Sequence, residues 1–246
     1  METNSQTLIV VMPVYNSEKT LDAAILSVLN QSYRNLLLFI VDDCSSDSSL
    51  SIAKNYLSDS RVMLFKNNKN RGAYYSRNVG LYYAKKLGWG YFTTHDSDDV
   101  SFGDRYLKLI TLLEKNEDAI SVQDKFQRID LYTGKSLRDH VTSAHALFKR
   151  EVFDGIGYFD SVRFGADWEH WERCEKFAEL HNKKCLTLDE LVGQSFIHEN
   201  NLTVKIPGRS KQRKEYVARS KAKIKSMTRV RKWHRDFKFL GSDIVL

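Results

Sequence analysis

The 246-residue chain carries 38 Lys or Arg against 31 Asp or Glu, a net charge of +7, and is 42% hydrophobic and 12% aromatic. Such a composition excludes a disordered chain and suits one large α/β domain, alone or with an appendage. Cys44, Cys174 and Cys185 form no C-x-x-C pair, which argues against a disulfide framework or a zinc site, and no stretch approaches the roughly 18 apolar residues of a membrane span.

The first apolar run, Leu8 to Val14, is too short for a signal segment and follows no basic residues, so a cytoplasmic protein, soluble or peripheral on the inner face of the membrane, is expected. Thr7 to Met12 is continuously apolar and β-branched apart from its first residue, as in a strand buried on both faces of a parallel sheet. Pro13 to Asn16 end it, Ser17 can serve as an N-cap, and Leu21, Ala24, Ile25, Val28 and Leu29 predict a helix ending near Ser32. Leu36 to Val41 is a second buried strand, running into the polar loop Asp42-Asp43-Cys44-Ser45-Ser46-Asp47. A short helix over 49–57, a strand over 61–65 and a helix over 73–87, preceded by Asn70-Arg71-Gly72, come next. Tyr91 to Thr94 is then a strand with an acidic tip, His95-Asp96-Ser97-Asp98-Asp99, and a further helix starts near Phe102. Strand and helix alternate, so the expected fold is α/β, a mostly parallel central sheet flanked by helices and Rossmann-like in its first half. Ligands then sit outside the carboxyl ends of the strands.

The acidic tip is the sharpest chemical signal. Carboxylates this close repel one another, and a hard divalent cation, Mn2+ or Mg2+, relieves the repulsion; the plain alternative is a solvated turn capping the next helix. A carboxylate at a strand end, Asp43 with help from Asp42, can accept the ring N–H of uracil, although Asp42 and Asp47 can equally cap the following helix. Arg71 and Arg77 flank a helix start where guanidinium and backbone N–H groups can face a diphosphate, while Arg77 could instead form a surface ion pair. His95 should point away from Asp96 by strand alternation and serve structure.

The strings VVMPVYN, VDDCSSD, NRGAYYSRN and HDSDD, followed by GADWEHWER and FIHENNLT, resemble in that order the family 2 glycosyltransferases with the glycosyltransferase A fold. The resemblance runs from about residue 7 to 204 and departs from the family pattern at Cys44, where glycine is usual, and at Ala166, where an acid is common. It implies an inverting, metal-dependent transferase moving a hexosyl or N-acetylhexosaminyl group from a UDP-sugar to a glycan or lipid-linked acceptor, in bacterial surface polysaccharide synthesis. By the same resemblance Pro13, Tyr15, Asn16, Asp43, Arg71, Arg77, Asp96 and Ser97 bind the donor nucleotide. Asp98 and His198, with Asp96, hold Mn2+ or Mg2+, and Asp99 orients its neighbours. Asp167 is the catalytic base at the start of a helix whose dipole stabilises its charge. Glu169 and Glu172 are its competitors, each otherwise an exposed helix charge. A non-catalytic nucleotide- or membrane-binding module and a sugar nucleotidyltransferase remain the alternatives; the latter's usual Gly-rich phosphate loop is missing.

Between Lys205 and Lys238 fourteen Lys or Arg face only Glu215 and Asp236, a surplus of +12 that leaves the rest of the chain at −5. The expected organisation is a catalytic domain over 1–206, divided near residue 100, and a basic helical tail over 207–246. Val217, Ile224, Met227, Val230, Trp233 and Phe237 recur at helical spacing across 209–239, an apolar stripe suited to an anionic membrane surface or to packing on the domain. Nucleic acid is the less favoured partner.

Overall fold

The computed structural model describes residues 3–197, 209–226, 237 and 244–245. Strands β1 (Leu8–Val14) and β2 (Leu36–Asp42) are buried along their whole length and pair in parallel, Leu8 against Leu36 through Val14 against Asp42. β3 (Val62–Lys66) adds to β2 and β4 (Tyr91–Thr94) to β1, both parallel. Alternation sends Ile9, Val11, Leu37 and Phe39 into one core and Leu8, Val10, Leu36 and Leu38 into the other. Helix α1 (Leu21–Leu29) closes the second core, and α3 (Ala73–Ala84) the first; α2 (Ser49–Lys54) links β2 to β3. A Cβ at Gly80 would stand 2.5 Å from a Val11 methyl, so only glycine lets α3 lie this close to β1.

The second half comprises β5 (Asp99–Ser101), α4 (Arg105–Glu114), β6 (Ala119–Asp130), β7 (Ser136–Lys149), α5 (Arg150–Ile156), α6 (Ala166–Leu180) and β8 (Lys184–Ile197), then α7 (Arg209–Lys225) and β9 (Ile244–Val245). The sheet order is β5-β8-β6-β7-β4-β1-β2-β3-β9. The parallel sheet expected from the sequence is therefore the first half of a mixed one. β7 runs antiparallel to β4, through Tyr91 against Lys149 and Phe92 against Phe148, and joins the two halves. If flat, this order would place β5 and β7 three strand spacings apart, roughly 14 Å. Asp99 of β5 and His145 of β7 nevertheless lie 3.0 Å apart, so the second half of the sheet curls on itself.

Two boundaries differ from expectation for identifiable reasons. Ser17 does not cap α1: its hydroxyl meets Tyr15 O and Ser97 Oγ, and the helix begins after a turn at Leu21. α3 stops at Ala84, with Lys86 and Leu87 closing three-residue turns instead.

The tail is tied to the domain at several points. The Tyr216 hydroxyl donates to Asp160 Oδ2 at 2.9 Å, Lys221 Nζ lies 3.9 Å from Glu172 and over the Trp168 ring, and Ile224 is buried. The Phe237 ring packs 5.1 Å from Tyr75 and 5.3 Å from Tyr158, and β9 pairs antiparallel with β3, covering that sheet edge. Ile224 and Phe237 of the expected stripe thus face protein and Val217 is half-buried, while Met227, Val230 and Trp233 fall outside the described residues. No helix among the described residues is long and apolar enough to cross a membrane.

Candidate metal and nucleotide site

Three loops meet at the carboxyl ends of β1, β2 and β4. After β2, Asp43 Oδ1 accepts from Asn67 Nδ2 at 2.8 Å and from the Arg71 N–H at 2.9 Å, and its Oδ2 accepts from the Gly72 N–H at 2.6 Å. A carboxylate offers about four acceptor directions, so one on Oδ2 is left for a ligand. Burial raises the Asp43 pKa despite these donors. Asp42 is buried too and accepts the Ser45 N–H, closing the loop locally. Cys44, at φ 64, takes the left-handed conformation that glycine adopts freely, at a cost of roughly 1–2 kcal/mol. The family's glycine is thus replaced while the left-handed turn is retained.

Asn16, at φ 50, latches the first loop to this one, its Oδ1 accepting the Ser46 N–H at 2.8 Å. Tyr15 is exposed at the rim, whereas Pro13, expected to bind the donor nucleotide, is buried within β1 against Val41. Arg71 lies over the Tyr75 ring with Nη2 3.3 Å from Asn68 Oδ1.

After β4 the chain turns through Asp96, Ser97 and Asp98. Asp96 Oδ1 accepts from Arg77 Nη2 at 2.6 Å, and the Nε2 atom of His145 lies 3.6 Å from Asp96 Oδ2 and 3.0 Å from Asp99 Oδ2. Asp96, Asp99 and His145 each offer a ligand atom within 4.8 Å of the others. Two carboxylate oxygens and one imidazole nitrogen form a set that could hold a divalent metal ion. Asp98, the expected ligand, lies outside this trio on the turn, and Asp99, expected to orient neighbours, lies inside it. Ser97 Oγ pairs with Ser17 Oγ at 2.7 Å, and His198 falls outside the described residues.

The charges in the trio are strongly coupled. Burial would lower the His145 pKa, but Asp96 and Asp99 outweigh it and push it up to about 9. Burial foremost, with Asp98 and Asp96, raises Asp99 to about 7 against the pull of His145. Burial opposes ionisation of Asp96 as well, yet Arg77 and His145 hold it well below the usual carboxylate range. An ion bound to this trio would compete with the proton on His145.

A buried frame fixes the trio. Arg105 Nε meets Asp124 Oδ2 at 2.7 Å with both side chains fully buried, while Nη2 donates to His145 O at 2.7 Å and Nη1 to Ser101 Oγ at 3.2 Å. His95 joins through Ser101 Oγ at 3.0 Å and stacks on His145 with ring centres 5.7 Å apart. Neither His145 nor the Arg105–Asp124 pair was identified from sequence. His145 was detectable only as a histidine within an apolar run, with nothing local to tie it to Asp99.

Asp167 is the second residue of α6. Its Oδ1 accepts from the Tyr74 hydroxyl at 2.5 Å, and that hydroxyl accepts the Gly165 N–H at 3.1 Å. Burial, then Asp167, raises the Tyr74 pKa well above 10, so the phenol keeps its proton. The Arg77 guanidinium lies 5.1 Å from the centre of the Tyr74 ring, linking Asp167 to Asp96 through adjacent groups. Arg77 is 3% exposed, and its Nε and Nη1 have no hydrogen-bond partner among the described residues. Glu169, a competitor for the base or otherwise an exposed helix charge, is buried and paired with Arg173 at 2.8 Å, because α6 turns that face onto α5 and the following loop. Glu172 is half-buried.

A family model described as glycosyl transferase family 2 matches residues 9–171. Among characterised relatives in sequence, the UDP-Glc:alpha-D-GlcNAc-diphosphoundecaprenol beta-1,3-glucosyltransferase WfgD of Escherichia coli is 39% identical over 108 residues, 44% of this chain and 41% of that protein. An uncharacterized glycosyltransferase of Haemophilus influenzae is 40% identical over 114 residues, 46% of this chain and 44% of the relative, so the matches span less than half of either relative's length. In fold, the chain resembles S. aureus TarS in complex with UDP-GlcNAc, at TM-score 0.73 and 18% identity over 91% of this chain and 68% of that one. It also resembles a Pyrobaculum calidifontis mannosyltransferase in complex with GDP-Man and Mn2+, at TM-score 0.67 and 15% identity over 91% and 65% of the two chains. With the family model covering most of the sequence and this sheet beneath it, the chain belongs to glycosyl transferase family 2 and has the glycosyltransferase A fold.

Proposed function

We propose that the protein is a metal-dependent inverting glycosyltransferase that moves a hexosyl or N-acetylhexosaminyl group from a UDP-sugar to a hydroxyl of a glycan or lipid-linked acceptor. The setting we infer is synthesis of a bacterial surface polysaccharide on the inner face of the membrane. The observation that carries this is the unbroken line of groups from Asp167 through Tyr74 and Arg77 to Asp96, Asp99 and His145.

In this mechanism Asp43 accepts the ring N–H of uracil with its remaining acceptor direction, and Tyr15 and Asn16 border the base. The unpartnered N–H groups of Arg77, with Arg71 nearby, donate to the diphosphate. Asp96, Asp99 and His145 would hold the divalent cation, with Asp98 and His198 as the further ligands the motifs imply. Such a cation would stabilise the negative charge that develops on the leaving diphosphate. Tyr74 fixes one oxygen of Asp167, and the other, without a hydrogen bond among the described residues, takes the acceptor hydroxyl's proton. The acceptor oxygen then bonds to the anomeric carbon from the face opposite the departing UDP, whose bond to the sugar breaks. The basic α7 borders α6, and its exposed lysines and arginines suit an anionic lipid surface. The activity of WfgD on a diphosphoundecaprenol-linked sugar supports a lipid-linked acceptor.

Titration calorimetry with UDP in Mn2+ and in EDTA tests the core of this function. Affinity should be at least about tenfold weaker in EDTA, and equal affinity in both would remove the metal from the site.

A further inference from the structure

The concave face of the curled sheet carries a row of side chains that the donor site does not use. Asp99 of β5 pairs with Ser195 of β8, Ser195 with Arg128 of β6, and Arg128 with Arg138 of β7. Paired residues on neighbouring strands stand on the same face. Asp99 faces His145, so all four line that concave face, with Arg128 about 10 Å and Arg138 one strand further from Asp99.

The row is electrostatically unfavourable as it stands. Like charges directly across a strand pair repel. Arg213 of α7 adds a third positive charge within reach of Arg128. Burial first, then Arg138 and Arg213, lowers the Arg128 pKa despite Asp99 and Asp98. His140, facing Phe126 on the same strands, is driven down to about 4 by burial, Arg128, His145 and Arg138, and so adds no charge. Among the described residues Arg128, Arg138 and Arg213 form no ion pair. Between Arg128 and the metal trio sits the Ser195 hydroxyl, in a side chain 9% exposed, with no hydrogen-bond partner among the described residues. Paired guanidiniums and an unused buried hydroxyl are the donor set that a phosphate satisfies.

We propose that Ser195, Arg128 and Arg138, with Arg213, form an anion site for a phosphate or diphosphate group on the acceptor, seated beside the metal trio. Assigning that anion to the acceptor rests on the glycosyl-transfer function proposed above; the anion site itself does not. The donor's diphosphate has its own partners in Arg77 and the trio, and the row leads away from them across β8 and β6.

The full chain and the Arg128→Gln/Arg138→Gln variant would be titrated with inorganic pyrophosphate in EDTA, where no metal can hold it, and separately with UDP in Mn2+. Pyrophosphate affinity should fall at least tenfold in the double variant while UDP affinity stays within twofold. Arg138→Gln alone, at an exposed position, should give an intermediate loss and guards against misfolding of the double variant. Equal pyrophosphate binding by all three proteins would overturn the site, as would an adventitious ion only, seen as weak binding insensitive to these changes. A parallel loss of UDP affinity would assign the guanidiniums to the donor and overturn the acceptor role. Turnover would then be compared on one sugar linked to an alkyl chain either through a diphosphate or directly. The diphosphate form should be preferred at least tenfold, with the preference lost in Arg128→Gln/Arg138→Gln. Tight pyrophosphate binding with no sugar transfer at all would break the glycosyltransferase function and leave the anion site standing.

Discussion

The two halves of the sheet reach one site by different means. In the half built from β1 to β4, the strands β1, β2 and β4 are each a self-contained buried run, and the polar residues at their tips are local in sequence. In the half built from β5 to β8, the strands β6, β7 and β8 are long and unevenly buried, and the site forms where the sheet curls and brings Asp99 to His145. The first half places its polar side chains by chain order, the second by tertiary closure. Substitutions in the two should therefore fail differently.

Asp167→Asn should show the largest effect, a loss of roughly 10² to 10⁴ in kcat, with UDP affinity and the donor's apparent KM nearly unchanged. Glu169→Gln, two residues on, should act on stability, because it leaves Arg173 buried without its charge partner; removing one member of such a pair costs about 3–5 kcal/mol. A stable but inactive Glu169→Gln beside an active Asp167→Asn would move the base and blur the distinction between site and frame. His145→Ala should weaken Mn2+-dependent UDP binding by roughly tenfold or more. If Asp98→Asn has that effect and His145→Ala does not, the metal belongs to the local acidic motif, and the curled half supplies only a wall.

Tyr74→Phe removes the hydrogen bond on Asp167 Oδ1 while keeping the ring beneath Arg77. It should lower kcat about tenfold, the worth of one hydrogen bond to a charged group, without changing KM for the donor. A matching rise in KM would show that Tyr74 acts through Arg77 on the nucleotide instead. Cys44→Gly should be the mildest change, raising stability by less than about 1 kcal/mol in urea unfolding, since relief of the left-handed backbone is partly offset by the freer unfolded chain. Loss of stability there would mean that the Cys44 side chain packs usefully against the nucleotide loops.

The parallel half was legible because hydrophobic runs such as Leu36 to Val41 can satisfy their backbone and bury both faces in only a few ways, and turns follow their ends. Its motif residues, Asp43, Arg77 and Asp96, came with their order along the chain. Asp167 came with its helix, although its Tyr74 partner did not. The burial of Glu169 was not legible, because acids at helical spacing look alike until the packing of α6 shows which one is buried. His145, the Arg105–Asp124 pair and the Arg128–Arg138 row were silent, since their neighbours lie on strands distant in sequence and their register depends on bulges along β6. The basic tail's charge was plain, and packing on the domain was one of two readings of its apolar stripe, which the burial of Ile224 and the contacts of Phe237 support. Sequence by itself determined the strand and helix order of about the first hundred residues, the acidic tips and the family. Only the tertiary structure decided which carboxylates meet a histidine and which guanidiniums face one another, because curling of the sheet and burial of charge are properties of pairings between distant segments.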